Sequence, residues 1–581
     1  MSGSLTPDSA SPSPPPRTPP NLHQNSIDPS AKWLVQKFGG TSVGKFPVQI
    51  ASNIVSNYID QYKVAVVCSA RSGSTKALGT TNLLLRAASE ALTRPPRSKP
   101  AGTPGFMSPV PKPFDYSASP AESRQSPSAG SPHPGFGPPS FIDTVDLLRR
   151  EHLAAARNAV KDDIILKELE VEIERDCEWL RGFLSAAQII DEISPRSRDS
   201  IVGLGEKLGC KIMTAALRDQ GVDAEFVSLE DIILDDETGD SASPGTLDQT
   251  FYDRLSIALG ERIRECSPRV PVVTGFFGQV PGSLLQQVGR GYTDLCSALL
   301  AVGLEADELQ IWKEVDGIFT ADPRKVPTAR LIPMISPEEA AELTYYGSEV
   351  VHPFTMEQVI RKKIPIRIKN VENPEGGGTV IHPDSDIDAA DALDAMSITL
   401  SGTRSLSVSS DERPQQRLPT AVTIKEHIVI LNVNSNRKSV SHGFLAGIFS
   451  TLDRFGVVVD LISTSEVHVS MAIEDGLARK ILDRLVNDLQ KSGTVSVHRD
   501  MAILSLVGKQ MRNMVGIAGR MFTTLAQGNV NIEMISQGAS EINISCVIDA
   551  RDAVKALNLI HQSCLQIKPE GARGRVGPWL F

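Results

Sequence analysis

The 581-residue chain has few cysteines, no long apolar run and no excess of basic residues. Its seven cysteines are scattered and form no C-x-x-C pair, which argues against zinc or a disulfide framework and favours a reducing compartment. No stretch of about 18 uninterrupted apolar residues is present, so we expect no membrane span. The net charge of -10 argues against nucleic-acid binding, which needs clustered Lys and Arg.

The N-terminus also lacks the apolar segment of a secretory signal peptide and the amphipathic basic pattern of a mitochondrial presequence. A cytoplasmic protein is therefore expected. The composition, 41% hydrophobic and 22% charged, is that of a globular chain. The length suggests roughly three or four domains.

Two Ser/Pro-rich tracts predict disorder. One is an N-terminal tail at residues 1–30, and the other is an insertion at about 93–140. The simplest interpretation is solvated filler, and several Ser-Pro pairs leave open a region regulated by phosphorylation. An acidic and then Ser-rich stretch at 384–420 loses all periodicity and predicts a linker.

Between the tail and this linker, short apolar runs alternate with helical patterns. The runs are Trp33–Phe38, Lys63–Ser69, Ala224–Val227, Val270–Thr274, Glu308–Trp312 and Ile364–Ile368. Strands that alternate with helices predict a largely parallel sheet covered by helices. Residues 31–383 are thus predicted to form one α/β domain that contains the insertion.

The C-terminal part contains an internal repeat. Gly443–Leu452 matches Gly516–Leu525, and Val457–Ser463 matches Val530–Ser536. Each copy predicts strand, helix, strand, strand and a following helix, which is the ferredoxin-like order. We expect one such domain at 421–497 and a second at 498–575.

The first segment that carries chemistry is a glycine turn after an apolar run. The run ends at Lys37-Phe38 and leads into Gly39, Gly40, Thr41 and Ser42. Glycines let backbone N–H groups approach an anion, and Lys37 adds a mobile charge for a transferring phosphoryl group. The turn predicts a phosphate site, although it is not a Walker A loop and a purely structural Gly pair is an equal alternative.

Two further segments suggest a site for a small charged molecule. Arg290 lies between two glycines ahead of a helix, and its planar guanidinium suits a carboxylate or phosphate. Thr293 and Asp294 occupy positions typical of helix N-caps, so capping alone is the alternative. Glu206 lies among glycines on the helix face opposite an apolar stripe, where it meets either a ligand or solvent.

A fourth segment, Ile311–Arg324, leaves a strand and crowds charges into a Gly/Pro-punctuated loop. Ligands of open α/β sheets bind at the carboxyl ends of strands. Soon after, Ser336 and Glu339 predict a capping box, with Pro at the first helical position. His352 is either a catalytic or charge-stabilising group or a structural histidine.

The motifs KFGGTSVG, GRGYTD, WKEVDGIFTADPR and EVVHP, followed by two ACT-type repeats, together resemble aspartate kinases, and the fungal type best. The resemblance runs from about Trp33 to the C-terminus. It implies an amino-acid-kinase fold, a three-layer α/β/α sandwich, followed by two ferredoxin-like βαββαβ ACT domains. It also implies phosphorylation of the aspartate side-chain carboxylate by MgATP, the entry step to threonine and methionine.

Carried over by position, the resemblance gives Lys37 a phosphate contact and makes Asp294 the residue that organises Lys37 and the phosphates. It implies aspartate binding by Thr81, Glu206, Arg290 and Thr293, with Arg290 on the α-carboxylate and Glu206 on the α-ammonium group. The implied nucleotide contacts are Lys37, Gly39, Gly40, Thr41, Ser42, Lys313, Glu314, Phe319 and Arg324. Glu314 and His352 are further catalytic candidates, and ATP and Mg²⁺ are the implied cofactors, with no dedicated protein metal site.

ACT domains bind amino acids where two copies meet, so the resemblance also implies an effector site. The matching positions are Ser441, Gly443, Phe444, Asp460, Asn531 and Ile532. Feedback inhibition, with threonine as the expected effector, and a homo-oligomer formed through the ACT domains are implied. The alternatives are another amino-acid kinase and a catalytically weak amino-acid sensor that uses only its repeats.

Overall fold

The computed structural model describes residues 22–93, 140–233, 247–280, 283–347, 351–383, 418–435, 443–509, 511–538 and 542–567. Most of the tail, the insertion and the linker predicted above lie outside these ranges. Residues 22–30 do pack on the protein, because the Asn25 side chain accepts from the Val64 N–H at 2.8 Å and donates to the Val64 carbonyl at 3.0 Å.

The N-terminal part contains one eight-stranded sheet in the order β3-β4-β2-β1-β5-β7-β8-β6. The strands are β1 Trp33–Phe38, β2 Lys63–Cys68, β3 Ala224–Val227, β4 Val270–Thr274, β5 Glu308–Lys313, β6 Met334–Ile335, β7 Ile366–Asn370 and β8 Thr379–Ile381. All neighbours pair in parallel except β7 and β8. The predicted parallel sheet is thus confirmed, with an antiparallel pair near one edge.

Helices cover both faces of this sheet, which gives three layers. They are α1 Gly40–Lys45, α2 Pro47–Gln49, α3 Ser56–Tyr58, α4 Thr80–Leu92, α5 Phe141–Ala159, α6 Asp163–Ile190, α7 Pro195–Asp219, α8 Gln249–Arg264, α9 Leu284–Gln287, α10 Tyr292–Leu304, α11 Pro337–Tyr345 and α12 Pro353–Ile360. A π-helical stretch, Ile50–Val55, joins α2 to α3. The apolar runs lie in the centre because both faces of β1 and β2 are buried.

Helix α11 begins with the capping box that the sequence predicts. Ser336 accepts from the Glu339 N–H at 3.3 Å, and Glu339 accepts from the Ser336 N–H at 3.2 Å. Pro337 occupies the first helical position. The reciprocal bonds satisfy two backbone donors that the helix itself leaves unpaired, so the predicted capping box is confirmed.

The C-terminal part forms a six-stranded antiparallel sheet in the order β10-β11-β9-β12-β14-β13. Its strands are β9 Ala421–Ser435, β10 Leu461–Thr464, β11 His468–Glu474, β12 Gly493–Val507, β13 Met534–Ser536 and β14 Asn543–Asp549. Its helices are α13 Phe444–Arg454, α14 Arg479–Leu489, α15 Ile517–Gln527 and α16 Ala553–Cys564. We call this unit the regulatory sheet.

The two long strands of the regulatory sheet are each shared between its repeats. The second half of β9 pairs with the first half of β12, and the first half of β9 pairs with the second half of β12, on either side of a register shift near Met501. Ala421 to Lys425 of β9 therefore pair with β12 beside the second repeat, and Gly493 to His498 of β12 pair with β9 beside the first. The two repeats interlock through their first strands.

The repeats also share backbone geometry at the start of their first helices. Gly443 precedes α13 with φ 85° and ψ 1°, and Gly516 precedes α15 with the same values. A positive φ is readily adopted only by glycine. The recurrence explains why glycine stands at both matched positions.

The regulatory sheet contacts the kinase-type domain through α11 and the loop after β5. Glu339 accepts from the Thr420 hydroxyl at 2.5 Å and from the Lys509 N–H at 2.6 Å. The Thr423 hydroxyl donates to the Tyr346 carbonyl at 3.0 Å. Tyr346 also packs on an apolar cluster of the sheet. In the described ranges, no helix is both long and apolar enough to cross a membrane.

Candidate active site

Lys37 and Asp294 meet at the carboxyl edge of the central sheet. Lys37 lies near the end of β1 and is only 7% exposed. Its Nζ is 2.7 Å from Asp294 Oδ1 in the first turn of α10. The contact with Asp294 holds the Lys37 ammonium group at the edge where ligands of such sheets bind.

The glycine turn wraps against the loop that follows β2. A Cβ on Gly40 would lie 2.3 Å from the Ala70 carbonyl oxygen, a distance that no side chain tolerates. The Gly40 carbonyl accepts from the Ser72 N–H at 2.8 Å. Gly39 is the residue before α1, and Thr41 and Ser42 lie within that helix. The predicted phosphate turn is thus held rigidly beside Lys37.

The turn is tied to the loop after β5 by one side-chain contact. The Ser42 hydroxyl donates to Glu314 Oε1 at 2.7 Å. These two residues are 272 positions apart, and the parallel pairing of β1 with β5 brings them together. The contact places Glu314 next to the predicted phosphate turn.

Glu206 lies at the same edge, on α7, and is buried. The Thr293 hydroxyl donates to its Oε1. Its other oxygen, Oε2, is buried and makes no hydrogen bond of normal geometry among the described residues. Burial raises the pKa of Glu206 to about 7, although hydrogen bonds from Thr293, the Phe276 N–H and Tyr292 act in the opposite direction. The alternative of a solvated glutamate is therefore wrong.

Gly275, just after β4, makes room for this pair. A Cβ at Gly275 would lie 2.5 Å from a Thr293 methyl group and 2.8 Å from Glu206 Oε2. The glycine is thus a spatial requirement of the pair, and the linear sequence offers no signal for it.

Thr293 and Asp294 are not helix caps, contrary to the capping alternative. Gly291 is the residue before α10, and no side chain caps it. Both residues lie in the first turn, where their side chains instead contact Glu206 and Lys37. Arg290 lies in the 3-10 turn Gly289–Gly291, but its side chain is outside the described part of the structure.

Thr81 lies in the first turn of α4, and its neighbour Thr80 is anchored by a buried histidine. The Thr80 hydroxyl is 3.2 Å from His152 Nε2, and His152 Nδ1 is 2.8 Å from the Leu148 carbonyl. Since the carbonyl accepts only, Nδ1 carries the proton and Nε2 accepts from Thr80. Burial lowers the pKa of His152 to about 4, which keeps this arrangement neutral. Sequence reasoning missed His152, which lies 72 positions from Thr80.

The loop after β5 lines a cavity of about 760 Å³ between the central sheet and the regulatory sheet. Lys313, Glu314, Phe319 and Arg324 all contribute to its wall, together with Ile424 and Leu557 from the regulatory sheet. The Arg324 side chain is 89% exposed and pairs with Asp322 at 3.2 Å. The volume lies within the range of small-molecule sites, about 300–1,000 Å³.

His352 stands apart from these groups in the described part of the chain. It is exposed at the start of α12, and no hydrogen bond or ion pair of the described residues joins it to Lys37, Asp294 or Glu314. Nothing in the described geometry brings this candidate to the site.

The predicted effector positions lie on the regulatory sheet. Asp460 Oδ1 is 2.7 Å from Lys425 Nζ, while its Oδ2 is buried without a hydrogen bond among the described residues. The Asn531 amide donates to Glu533 at 2.8 Å, and Ile532 packs on the core of the second repeat. Gly443 and Phe444 begin α13, and Ser441 lies outside the described residues.

No group of three or more His, Cys, Asp or Glu side chains among the described residues is arranged to hold a metal. Mg²⁺ in nucleotide sites uses one or two carboxylates together with substrate phosphates and water. The carboxylates of Asp294 and Glu314 beside the phosphate turn fit that mode of binding.

Comparison with known proteins agrees with this architecture. The model of the amino acid kinase family matches residues 32–370, and an ACT domain model matches residues 504–564. The aspartokinase of Schizosaccharomyces pombe is 50% identical, over 95% of this chain and 98% of its own. The aspartokinase of Saccharomyces cerevisiae is 47% identical, over 92% of this chain and 93% of its own.

Solved structures show the same fold. E. coli aspartokinase III in complex with aspartate and ADP, described as the R-state, aligns over 92% of this chain and 99% of its own, with a TM-score of 0.63 and 25% identity. The same enzyme in complex with lysine and aspartate, described as the T-state, gives a TM-score of 0.64 at 25% identity, with 91% and 99% covered.

The chain therefore belongs to the amino acid kinase family, and ACT-type repeats lie at its C-terminal end. Within that family it groups with the fungal aspartokinases, which match it along nearly its whole length. It is therefore an ATP-dependent kinase of the aspartokinase type. The three-layer fold followed by ferredoxin-like repeats is confirmed.

Proposed function

We propose that the chain transfers the γ-phosphoryl group of ATP to the side-chain carboxylate of L-aspartate, which gives 4-phospho-L-aspartate and ADP. One carboxylate oxygen attacks the γ-phosphorus, and the bond from that phosphorus to the β,γ-bridging oxygen breaks as ADP leaves. The observation that carries the proposal is the buried carboxylate of Glu206, whose Oε2 has no hydrogen bond of normal geometry among the described residues, beside the pair of buried Lys37 with partly exposed Asp294. The reaction needs a carboxylate to bind the ammonium group of the amino acid and, close to it, a cation to bind the phosphoryl group that is transferred.

The electrostatics of the site suit this reaction. Aspartate and ATP are both anionic, so catalysis needs cations around the phosphates more than it needs a base, because a carboxylate is already ionised at pH 7. Lys37 is the buried cation at the phosphate turn, and Asp294 holds it in place. In the proposal Glu206 Oε2 accepts from the α-ammonium group of aspartate, and Thr293 and Thr81 line the same pocket.

Arg290 is assigned the α-carboxylate of aspartate in this proposal, on the strength of its place between two glycines before α10. The nucleotide would occupy the cavity lined by Lys313, Glu314, Phe319 and Arg324 and reach the glycine turn with its phosphates. Mg²⁺ would be held by phosphate oxygens with Asp294 or Glu314 and would neutralise charge on the phosphates. Glu314 and His352 stay catalytic candidates.

A product assay tests the proposal and its alternatives. Purified chain with MgATP is given L-aspartate or L-glutamate, ADP release is followed, and the acyl phosphate is trapped with hydroxylamine. ADP release and hydroxamate with aspartate alone would support the proposal, and a preference for glutamate would favour another amino-acid kinase. No ADP with either substrate would leave the amino-acid sensor. Lys37→Met under the same conditions controls for a contaminating kinase.

The proposed regulation is feedback inhibition by an amino acid, with threonine as the effector and the threonine/methionine pathway as its setting. The support is the ACT match, the paired left-handed glycines before α13 and α15, and the buried free oxygen of Asp460. Inhibition requires that the effector bind one conformational state better than another. Activity measured against threonine, lysine and methionine checks this, and indifference to all three would rule the regulation out.

A homo-oligomer in the cytoplasm completes the proposal. The first repeat of the regulatory sheet carries exposed apolar side chains, among them Leu445, Phe449, Val458 and Ile462. Such residues are typical of subunit contacts. Light scattering of the full chain and of a Phe449→Glu variant tests this surface, because a charge in a buried contact would dissociate the oligomer.

A further inference from the structure

A second cavity, of about 510 Å³, lies beside the glycine turn on the helical layer. Its wall includes Gly44, Lys45, Gln49, Arg71, Asn158 and Ile212, from α1, α2, the loop after β2, α5 and α7. Lys37, Glu206 and Asp294 do not line it. Its volume suits a small molecule, and it is separate from the site described above.

Arg71 is the notable group in this cavity. Its Nε and Nη1 atoms are buried and donate no hydrogen bond among the described residues. A guanidinium has five N–H donors, and burying them without acceptors or a counter-charge is unfavourable. Burial lowers the pKa of Arg71, and the charge of Glu151 acts in the opposite direction.

The backbone and stem of Arg71 are fixed. Its carbonyl accepts from the Thr80 N–H at 3.1 Å. A Cβ on Gly44 would lie 3.4 Å from Arg71 Cγ, and a Cβ on Gly209 would lie 3.7 Å from the Arg71 nitrogen. The backbone and the start of the Arg71 side chain therefore pack between α1 and α7, and the side chain lines the cavity.

We propose that this cavity binds a small oxyanion, a carboxylate or a phosphate, through the Arg71 guanidinium. The planar fork of a guanidinium matches either group with paired hydrogen bonds. Lys45 adds a second positive charge at the exposed end of α1, and the amide of Asn158 supplies a neutral polar group. Ile212 offers apolar surface to a small carbon skeleton.

An anion bound here would touch the helix that carries the phosphate turn. Gly44 lines the cavity, and Ser42, two residues earlier on α1, donates to Glu314. The proposal concerns binding alone and does not depend on the phosphoryl-transfer reaction. A chain without aspartate kinase activity would still be expected to bind the anion.

The test titrates full-length chain with inorganic phosphate or with malonate, at ionic strength held constant with KCl, and follows the thermal midpoint. A ligand that binds only the folded state stabilises it by RT ln(1 + [L]/Kd), so the rise of the midpoint with anion concentration gives the Kd. We expect such a rise for one anion or both, and an Arg71→Gln Kd at least about tenfold higher, the loss of roughly one paired contact. Lys37→Met should keep the part of the response that Arg71→Gln removes, because Lys37 does not line the cavity.

The anion that produces a response identifies the chemical class of the ligand. A response to phosphate alone identifies a phosphate-bearing ligand, and a response to malonate alone identifies a carboxylate. The absence of a rise overturns the proposal, and a rise that Arg71→Gln keeps and Lys37→Met loses overturns it in favour of the catalytic centre.

A folding control uses the same variant without anions. Arg71→Gln removes a partly buried cation whose Nε and Nη1 have no hydrogen-bond acceptor among the described residues, so its midpoint in anion-free buffer should equal or exceed that of the natural chain. Arg269→Gln, which breaks the ion pair of Arg269 with Glu225 at 3.3 Å, is the matched arginine control and should keep the anion response. A markedly lower midpoint for Arg71→Gln alone would mean that the guanidinium has a structural partner, and the proposal would fail.

Discussion

The Thr293 hydroxyl donates a hydrogen bond to Glu206 Oε1 and so joins α10 to α7 across the edge of the central sheet. The contact orients the carboxylate, and its Oε2 is buried without a hydrogen bond of normal geometry among the described residues. Burial raises the pKa of Glu206 to about 7. A buried carboxylate that titrates near neutrality is costly for folding and suited to a cationic group of a ligand.

The first prediction concerns the stability of Glu206→Gln. The folded-state pKa of about 7 lies above the unfolded value of about 4.3, so the folded chain binds the extra proton and loses stability as pH rises between those values. Glutamine does not ionise and escapes this loss. In the absence of substrate, the free energy of unfolding of the variant, relative to that of the natural chain, should rise by on the order of 2 kcal/mol between pH 5 and pH 8.

Urea unfolding at the two pH values measures this difference. Glu178→Gln, at a carboxylate that is 70% exposed, is the matched control and should show no comparable gain. If Glu206→Gln is equally destabilised at both pH values, the carboxylate stabilises the fold through its hydrogen bonds. In that case its ionisation does not destabilise the folded chain. Aspartate binding should fall in this variant, because an amide carries no charge for the ammonium group.

The second prediction concerns Lys37. Lys37→Ala should fold and lose roughly 100- to 1,000-fold in kcat, the usual loss when one preorganised stabilising group is removed from a polar transition state. Lys37→Met, which keeps most of the buried stem, should behave alike. Steady-state ADP release measures both.

Lys32→Ala is the matched control for Lys37. Its Nζ lies 2.6 Å from Asp307, but its side chain is 67% exposed and distant from the site along β1. Its kcat should be unchanged, because Lys32 precedes β1 and Lys37 lies near the other end of that strand. Near-normal kcat for Lys37→Ala would remove the phosphate role from this residue.

The third prediction concerns His152 at acid pH. Its folded pKa of about 4 lies below the unfolded value of about 6.5, so its neutral form stabilises the fold above pH 6.5 and that contribution is lost as pH falls toward 4. His152→Gln should reduce the fall in the free energy of unfolding between pH 7 and pH 5 by on the order of 2 kcal/mol. Chemical unfolding at pH 7 and pH 5 detects it, with His498→Gln as the comparison.

His152 has a second expected effect. It fixes the Thr80 hydroxyl at the start of α4, next to Thr81. His152→Gln should therefore raise KM for aspartate more than KM for ATP. Equal changes in the two constants would mean a general loss of structure and no positioning of this helix end.

Features that depend on neighbouring residues could be predicted from the sequence, whereas contacts between residues far apart in the sequence could not. The strand and glycine turn around Lys37 and the capping box at Ser336 depend on neighbours within a few residues, so their signals are in the local sequence. Glu206 and Thr293 are 87 positions apart, and Ser42 and Glu314 are 272 apart. Only strand order and helix packing bring such pairs together.

The regulatory sheet illustrates the same limit. The internal repeat predicts two similar units, and the matched glycines at Gly443 and Gly516 confirm that their helices begin alike. The repeat does not reveal that the start of β9 lies beside β12 in the second unit. That pairing joins segments about 80 residues apart, and no local pattern records which partner an edge strand takes.

The last prediction concerns His561, which links α16 of the regulatory sheet to the loop after β5. Its Nε2 is 2.9 Å from the Thr320 hydroxyl, and its Nδ1 is 3.4 Å from the Thr328 hydroxyl. The same loop carries Phe319 and Arg324 in the wall of the proposed nucleotide cavity. His561→Leu should raise KM for ATP about 5-fold, the equivalent of one lost hydrogen bond, with KM for aspartate nearly unchanged.

His468→Leu is the matched control, because His468 also bonds two side chains, Asn434 and Ser470, but lies on the first repeat away from this loop. It should leave both constants unchanged. If His561→Leu alters neither KM nor the response to an inhibitory amino acid, the loop keeps its position without the histidine. A selective change in the ATP constant would instead identify α16 as a physical route between the regulatory sheet and the nucleotide.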